Sequence, residues 1–287
     1  MISTVFWSRK VGITKPHPRA KEITVKRTML TKRRKFVLVS LILSLLLFVI
    51  QRLPVENRYP AILGLAFVSY LLSSWALIKD LRGVAWMANM ILPVLYPVSV
   101  ALFYFLLPQS VVTRISVLLV FAISMYGLML TTNIFAVASI RTIQLLRAAR
   151  TVGFLLSVLT SAFLFHVIFS FNLPYYVVGL AALVVSLLIF VAGIWSYSLS
   201  TTLSREEWAP VMIGTAVVTQ AAIALCFFLI DAPLASIVLS MMVYVLLGIF
   251  QHNLEKRLFA RTAQEYLGFA LIVLVVAIYA TITRWMS

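Results

Sequence analysis

Apolar residues are grouped along this chain into nine long stretches that contain no Asp, Glu, Lys or Arg. The stretches cover residues 36–50, 61–78, 84–107, 115–140, 151–171, 175–199, 211–230, 234–250 and 266–283. Because about 20 helical residues cross the hydrocarbon core of a bilayer, most of these stretches have the length of a transmembrane helix. With 63% hydrophobic residues overall, the pattern predicts an all-α, polytopic integral membrane bundle with nine transmembrane helices.

The number of Lys and Arg residues alternates between successive connecting segments, and this alternation predicts the direction of threading. Segments on the same side as the N-terminus carry 20 of the 24 basic residues, and the remaining segments carry four. Since cytoplasmic segments are enriched in Lys and Arg, we expect the N-terminus inside the cell membrane and the C-terminus outside. The stretches 211–230 and 234–250 form either two spans or a re-entrant hairpin, because either arrangement leaves the alternation unchanged.

The first 35 residues differ in composition from the rest of the chain. They hold eleven basic residues and a single acidic one, Glu22, and they show no sustained apolar period. We interpret residues 1–35 as a basic, disordered cytoplasmic tail and residues 36–287 as the transmembrane domain. The tail ends in a basic cluster formed by Lys32, Arg33, Arg34 and Lys35. This cluster is expected to bind anionic membrane lipid or to act only as an orientation signal, and nucleic acid is a disfavoured partner.

Residues that carry common enzymatic chemistry are few. Cys226 is the only cysteine and the three histidines are far apart, so the sequence holds no cysteine cluster, no His pair and no HExxH motif. Glu206 and Glu207 are adjacent and would point about 100° apart on a helix, which favours a solvated loop end over a pair of metal ligands. The sequence therefore favours a non-enzymatic protein without a cofactor or a metal.

Polar residues and prolines inside the apolar stretches are candidates for an intramembrane site. They are Asn89, Pro93, Pro97, Asn133, His166 and Gln220. Pro93 and Pro97 each free the carbonyl four residues earlier, which belongs to Asn89 and Pro93 respectively. The third span is therefore expected either to line a substrate cavity or simply to bend.

Two of these polar residues are expected at helix contacts. Gln220 has Ala216 and Ala224 four residues away on either side, which predicts a close helix contact held by an amide hydrogen bond. His166 is expected to form a hydrogen bond across a helix interface, and a proton relay is the alternative.

The connector after the fourth stretch is rich in arginine. On a continuous helix, Asn133, Arg141, Gln144, Arg147 and Thr151 fall near one face, so we predict an amphipathic helix at the internal interface, which also carries Arg150. Three arginines without a nearby acid favour an anion site for lipid phosphate, a phosphorylated lipid carrier or an acidic partner. A loop that rests on ordinary headgroups is the alternative.

The stretch that begins at Asn133 and Ile134 and continues through residues 141–150 resembles part of an uncharacterised family of bacterial polytopic membrane proteins. The resemblance covers about twenty residues of the chain. Because that family has no assigned reaction, the resemblance implies a membrane location and supplies no catalytic residue, substrate or partner.

Three classes of function remain, in order of preference. The first is a non-enzymatic membrane component that binds anionic lipid, a membrane-protein partner or a second copy of the chain through its basic internal face. The second is a transporter or flippase for an amphiphilic anionic substrate, which requires a polar cavity where Asn89, Gln220 and the freed carbonyls converge. The third is an enzyme that acts on a lipid-linked phosphate, and the missing carboxylate and histidine clusters disfavour it.

Overall fold

Eight helices make up most of the structure, a computed structural model that describes residues 20–77, 84–139, 144–200, 203–228, 230–254, 264–269, 271–273, 275, 276 and 279. They are α1 Ala20–Ile50, α2 Val55–Leu77, α3 Val84–Tyr104, α4 Val111–Ala138, α5 Leu146–Ser170, α6 Tyr175–Ser198, α7 Arg205–Leu225 and α8 Ala232–Leu254. The described residues between 264 and 279 are also helical.

Seven of the helices, α2 to α8, are long and apolar enough to cross a membrane. Helix α1 differs from these seven helices, because a basic segment that ends at Lys35 precedes its apolar part. The stretch 266–283 that predicted a ninth span extends past the described residues. The all-α membrane class is confirmed, with seven helices of spanning length among the described residues. The count of nine spans stays a prediction.

Helix α1 starts earlier than the sequence analysis expected. It begins at Ala20, so residues 20–35, which we assigned to a disordered tail, are helical. Seven of the sixteen residues in this segment are Lys or Arg, which have high helix propensity. It also continues directly into the apolar part of α1, so the unfavourable nucleation step of a helix is not needed a second time. Residues 1–19 of the predicted tail lie outside the described residues.

Two separate helices occupy the region for which a re-entrant hairpin was the alternative. Helix α7 has 21 residues and α8 has 23, and each meets the length and hydropathy of a full span. Helix α7 starts at Arg205, six residues before its apolar stretch, because the carboxylate of Glu207 accepts a hydrogen bond from the backbone N–H of Ser204 at 2.6 Å. Such a bond satisfies a donor that would otherwise be unpaired at a helix start.

Helices that follow one another along the chain run antiparallel, which places alternate connectors at the same end of the bundle. Arg150 near the start of α5 contacts Tyr197 near the end of α6, and His166 near the end of α5 contacts Ser236 near the start of α8. We call the end that contains Lys35, Arg147 and Arg205 the basic end. The end that contains Arg52, Arg58 and Arg114 is called the opposite end.

Helix α5 lies at the centre of the bundle and packs against α3, α4, α6 and α8. Large apolar side chains such as Tyr96, Phe121 and Phe190 are almost completely buried between the helices. Helices α6 and α7 approach closely where a glycine takes the place of a side chain. A Cβ atom added to Gly214 would lie 2.7 Å from the ring of Phe190, so only glycine fits there.

Candidate functional site

Four helices, α3 to α6, meet near the basic end around a small group of polar side chains. Their junction contains a cavity of about 20 Å³ whose walls include Asn89, Thr132, Ser157 and Ser196, together with the rings of Phe135 and Trp195. We call this region the α3–α6 junction. Each helix contributes one of the four polar residues, so the junction is built only when all four helices are packed together.

Asn89 is the central polar residue of the junction and is only 3% exposed. Its amide nitrogen donates a hydrogen bond to the backbone carbonyl of Thr132 at 3.2 Å, which ties α3 to α4. Its amide oxygen Oδ1 is buried and has no hydrogen-bond partner among the described residues. Because a buried acceptor without a partner costs about 1–3 kcal/mol, this atom is the least satisfied part of the junction.

The hydroxyl groups of the junction are bonded within their own helices. Ser157 donates to the carbonyl of Gly153 at 2.8 Å, and Ser196 donates to that of Gly193 at 2.7 Å. Thr132 donates to the carbonyl of Leu128 at 3.0 Å. Since each hydroxyl has one hydrogen, these groups retain only acceptor capacity toward the cavity.

The carbonyl that Pro97 frees is taken up by a residue that the sequence analysis did not single out. Ser69 of α2 donates its hydroxyl hydrogen to the carbonyl oxygen of Pro93 at 2.7 Å. Ser69 and Ser73 are four residues apart and completely buried, and this helical spacing was the available signal for a polar contact between α2 and α3. A freed carbonyl that already has a donor does not line a substrate cavity.

Gln220 lies elsewhere, on the outward face of α7. The prediction of a close helix contact was wrong for the described residues, because Gln220, Ala216 and Ala224 are all exposed. The inward face of α7 is formed instead by residues such as Gly214 and Val218, which are buried against the bundle. Asn89 and Gln220 therefore do not converge on a common cavity, which removes the geometry that the transporter hypothesis required.

His166 lies toward the opposite end and contacts α3 and α8. Its Nδ1 atom is 3.5 Å from the hydroxyl oxygen of Ser236, and its ring meets the edge of the Phe103 ring at a centroid distance of 5.3 Å. This is a contact across a helix interface of the kind that the sequence analysis preferred for His166.

The arginine-rich connector does not form the continuous helix that we predicted. Helix α4 ends at Ala138 and α5 begins at Leu146, so Asn133 belongs to a different helix from Arg147 and Arg150. Packing α5 antiparallel against α4 requires a reversal of the chain, which an uninterrupted helix would prevent. Asn133 has a buried amide oxygen without a hydrogen-bond partner among the described residues. Arg141 lies outside the described residues.

The two described arginines of this connector have different surroundings. Arg150 donates from its guanidinium to the backbone carbonyl of Tyr197 at 2.8 Å and lies over the Tyr197 ring at 4.5 Å. It therefore connects the start of α5 to the last turn of α6, where carbonyls lack helical donors. Arg147 and Gln144 are exposed. Of the residues predicted to bind an anion here, Arg150 is thus engaged inside the protein, and Arg147 faces outward.

The basic cluster at the start of the apolar part of α1 is also divided. Arg33 and Arg34 are exposed, and Lys32 is partly buried. The ammonium nitrogen of Lys35 lies 4.4 Å from the centroid of the Trp75 ring, in a cation–π contact with the end of α2. The basic end therefore presents arginine side chains from α1 and from α5.

We expected the acidic pair at the start of α7 to be a solvated loop end. This expectation fits only one of the two residues. Glu206 is exposed, but Glu207 is 8% exposed and its carboxylate accepts hydrogen bonds from Ser204 and Ser200. The carboxylate of Glu207 is thus committed to holding the connector between α6 and α7. Over the ranges that the structure describes, no group of three or more His, Cys, Asp or Glu side chains is arranged to hold a metal ion.

Two features thus stand out in the described structure: the outward-facing cations of the basic end and the acceptor-rich α3–α6 junction. No protein-family model, curated protein or solved structure matches this chain.

Proposed function

We propose that this protein is a non-enzymatic component of the cell membrane that binds the headgroups of anionic lipids through its basic end. The observation that carries the proposal is the outward exposure of Arg33, Arg34 and Arg147 at the same end of the bundle. Arg33 and Arg34 lie just before the apolar part of α1, and Arg147 lies in the first turn of α5. A span meets the headgroup region at such positions, so these guanidinium groups are well placed for lipid phosphates.

The start of α5 supports an anion beside Arg147. Leu145 occupies the capping position and forms no side-chain hydrogen bond to the first turn of the helix. The first N–H groups of a helix attract anions, whereas a cation in the first turn is electrostatically unfavourable by itself. A phosphate that accepts hydrogen bonds from these N–H groups and from Arg147 would provide an acceptor for the N–H groups and offset the unfavourable positive charge in the first turn.

The packing of the described helices favours binding at the surface over passage through the protein. The cavity of the α3–α6 junction has a volume of about 20 Å³, which is close to that of one water molecule and far below that of an amphiphile. The polar groups proposed for a transport path lie apart, since Asn89 is buried and Gln220 is on the outer face. These features argue against a transport path through Asn89 and Gln220.

The threading that accompanies this function has nine spans, with the basic end and the N-terminus in the cytoplasm. The excess of Lys and Arg on this side of the chain supports the orientation. Tags at residues 1 and 287, probed with an impermeant reagent in sealed inverted vesicles, test it. We expect the first tag to react and the second to be protected, and reaction of both tags would contradict the odd number of spans.

Lipid binding is tested with a triple variant, Arg33→Gln, Arg34→Gln and Arg147→Gln. Since each basic residue near an anionic surface contributes about 1 kcal/mol, we expect roughly hundred-fold weaker association with phosphatidylglycerol. The measurement is a native mass-spectrometry titration of the full-length protein in mild detergent, with phosphatidylcholine as the neutral reference lipid.

The matched control is Arg52→Gln, Arg58→Gln and Arg114→Gln, which removes three arginines from the opposite end. This variant should retain phosphatidylglycerol nearly as the unaltered protein does. Equal retention by both triple variants would contradict the proposed lipid site. Retention of a protein subunit that is lost only in the basic-end variant would favour a protein partner in place of lipid.

A further inference from the structure

We propose that the α3–α6 junction binds one water molecule, which donates a hydrogen bond to the amide oxygen of Asn89. This site is separate from the basic end and does not depend on lipid binding there. The inference starts from two independent observations at the same place. The junction contains a cavity of about 20 Å³, and Asn89 in its wall is 3% exposed with an Oδ1 atom that lacks a partner among the described residues.

The hydroxyl and indole hydrogens of the cavity walls already form hydrogen bonds to backbone carbonyls. Ser157, Ser196 and Thr132 donate to carbonyls of their own helices, at 2.8, 2.7 and 3.0 Å. The indole nitrogen of Trp195 donates to the carbonyl of Ser200 at 3.1 Å. None of these wall residues therefore has a hydrogen left for Asn89 Oδ1, and their oxygen atoms add further acceptors.

The backbone of α3 holds a further acceptor that regular helix geometry leaves without a donor. Pro93 has no N–H group, so the carbonyl of Asn89 lacks the donor that a regular helix would supply four residues later. A guest of the cavity must consequently donate hydrogen bonds and need not accept any. Because Asn89 is only 3% exposed, bulk solvent does not reach its amide oxygen, so the donor must be held between the helices.

Size and charge identify the guest as water. A cavity of this volume is large enough for one water molecule, and a buried water typically forms about three hydrogen bonds. Its two hydrogens match Asn89 Oδ1 and one of the neighbouring hydroxyl oxygens. A sodium ion prefers several oxygen ligands as well, but no carboxylate is present in the wall to offset its charge.

Radiolytic hydroxyl labelling with mass-spectrometric readout tests this site in the full-length protein. Labelling of a buried ring requires a nearby bound water, and Phe135 and Trp195 line the cavity with exposures of 5% and 1%. Phe121 and Phe165 are 0% exposed and are not among the cavity walls, so they serve as internal controls. We expect Phe135 and Trp195 to be labelled several-fold more than the two controls. Equal labelling of all four rings would overturn the proposal without any variant.

Substitutions then locate the water at Asn89. Asn89→Leu removes the acceptor, and Ser157→Val fills the cavity with methyl groups, so both should reduce labelling of Trp195 to the control level. The matched control is Ser186→Val, which replaces another fully buried serine that donates to the carbonyl four residues earlier but does not line this cavity. Labelling that persists in Asn89→Leu and Ser157→Val would contradict the assignment.

A cation is distinguished from water by thermal unfolding in sodium chloride and in choline chloride at equal ionic strength. A water guest predicts the same unfolding temperature in both salts. A sodium-specific stabilisation that disappears in Asn89→Leu would identify the guest as a cation and overturn the water assignment.

Discussion

The α3–α6 junction and the outward face of α7 contain the same kind of polar group in opposite surroundings. Asn89 in the junction is 3% exposed and donates to the carbonyl of Thr132, whereas Gln220 on α7 is exposed. Both residues are single amides inside apolar stretches, but a close helix contact was predicted for Gln220 only, whereas the segment around Asn89 was predicted to line a cavity or to bend. The difference teaches that an amide in a span marks a need for hydrogen bonds, and that helix rotation decides whether the bundle meets it.

The two faces of α7 show the same contrast in packing. Gly214 on the inner face leaves room for the buried ring of Phe190, and Ala216 two residues later is exposed. Small residues therefore have different roles in helix packing on the two faces of α7. Glycine allows a close approach of α6 on one side, and alanine on the other side contacts no described helix closely enough to be buried.

The largest expected effect comes from adding a methyl group to the inner face of α7. In Gly214→Ala the new Cβ would lie 2.7 Å from the Phe190 ring, which is completely buried and has no space to move. We expect a loss of about 2 kcal/mol in the free energy of unfolding, as is usual for overpacked cores. Equilibrium unfolding of the detergent-solubilised protein in SDS provides the measurement. Ala216→Val on the outer face is the control and should change stability little; equal losses in the two variants would contradict the assignment of the two faces.

An intermediate effect is expected at the basic end, where two arginines repeat the comparison. Arg150→Gln removes a charge-assisted hydrogen bond to the carbonyl of Tyr197 and the ring contact, so we expect a loss of about 1.5 kcal/mol. Arg147→Gln alters an exposed side chain and should change stability by less than about 0.5 kcal/mol. Thermal unfolding followed with a thiol-reactive dye on Cys226, the only cysteine, measures both variants. A larger loss in Arg147→Gln than in Arg150→Gln would reverse our distinction between them.

The smallest expected effect concerns the two amides themselves. Asn89→Leu removes the hydrogen bond to Thr132 and should destabilise the protein by about 0.6–1 kcal/mol, in the range found for polar contacts between membrane helices. Gln220→Leu removes an amide from the hydrocarbon-facing surface, so it should be neutral or slightly stabilising. The same SDS unfolding measurement compares the two. A clear destabilisation by Gln220→Leu would mean that this amide has a partner after all.

Much of the fold was predictable from the spacing of charged residues. Each of helices α2 to α8 contains most of one predicted apolar stretch, because charged side chains are excluded from the hydrocarbon and so mark the ends of spans. The exact ends of the helices were harder to predict, because local capping interactions fix them. Glu207 starts α7 six residues early, and this depends on a hydrogen bond to Ser204 that hydropathy does not register.

The candidate sites were predictable only in part. Asn89 was identified from its polarity, but Thr132, Ser157 and Ser196, which complete the junction, resemble the many serines and threonines that bond within their own helices. Arg150 was grouped with Arg147 because both lie in the same arginine-rich connector, whereas its role depends on Tyr197, 47 residues later in the chain. Contacts over such separations leave no local pattern.

By itself, the sequence determined that this protein lies in a membrane. It also determined the approximate ends of most spans and the unequal distribution of positive charge. These properties follow from the free energy of transferring each segment between water and hydrocarbon, which depends on local composition. Tertiary structure alone decided the rotation of each helix about its axis. Rotation placed Asn89 inward and Gln220 outward, because side-chain packing between helices, including the fit of Gly214 against Phe190, outweighs the preference of any single polar group.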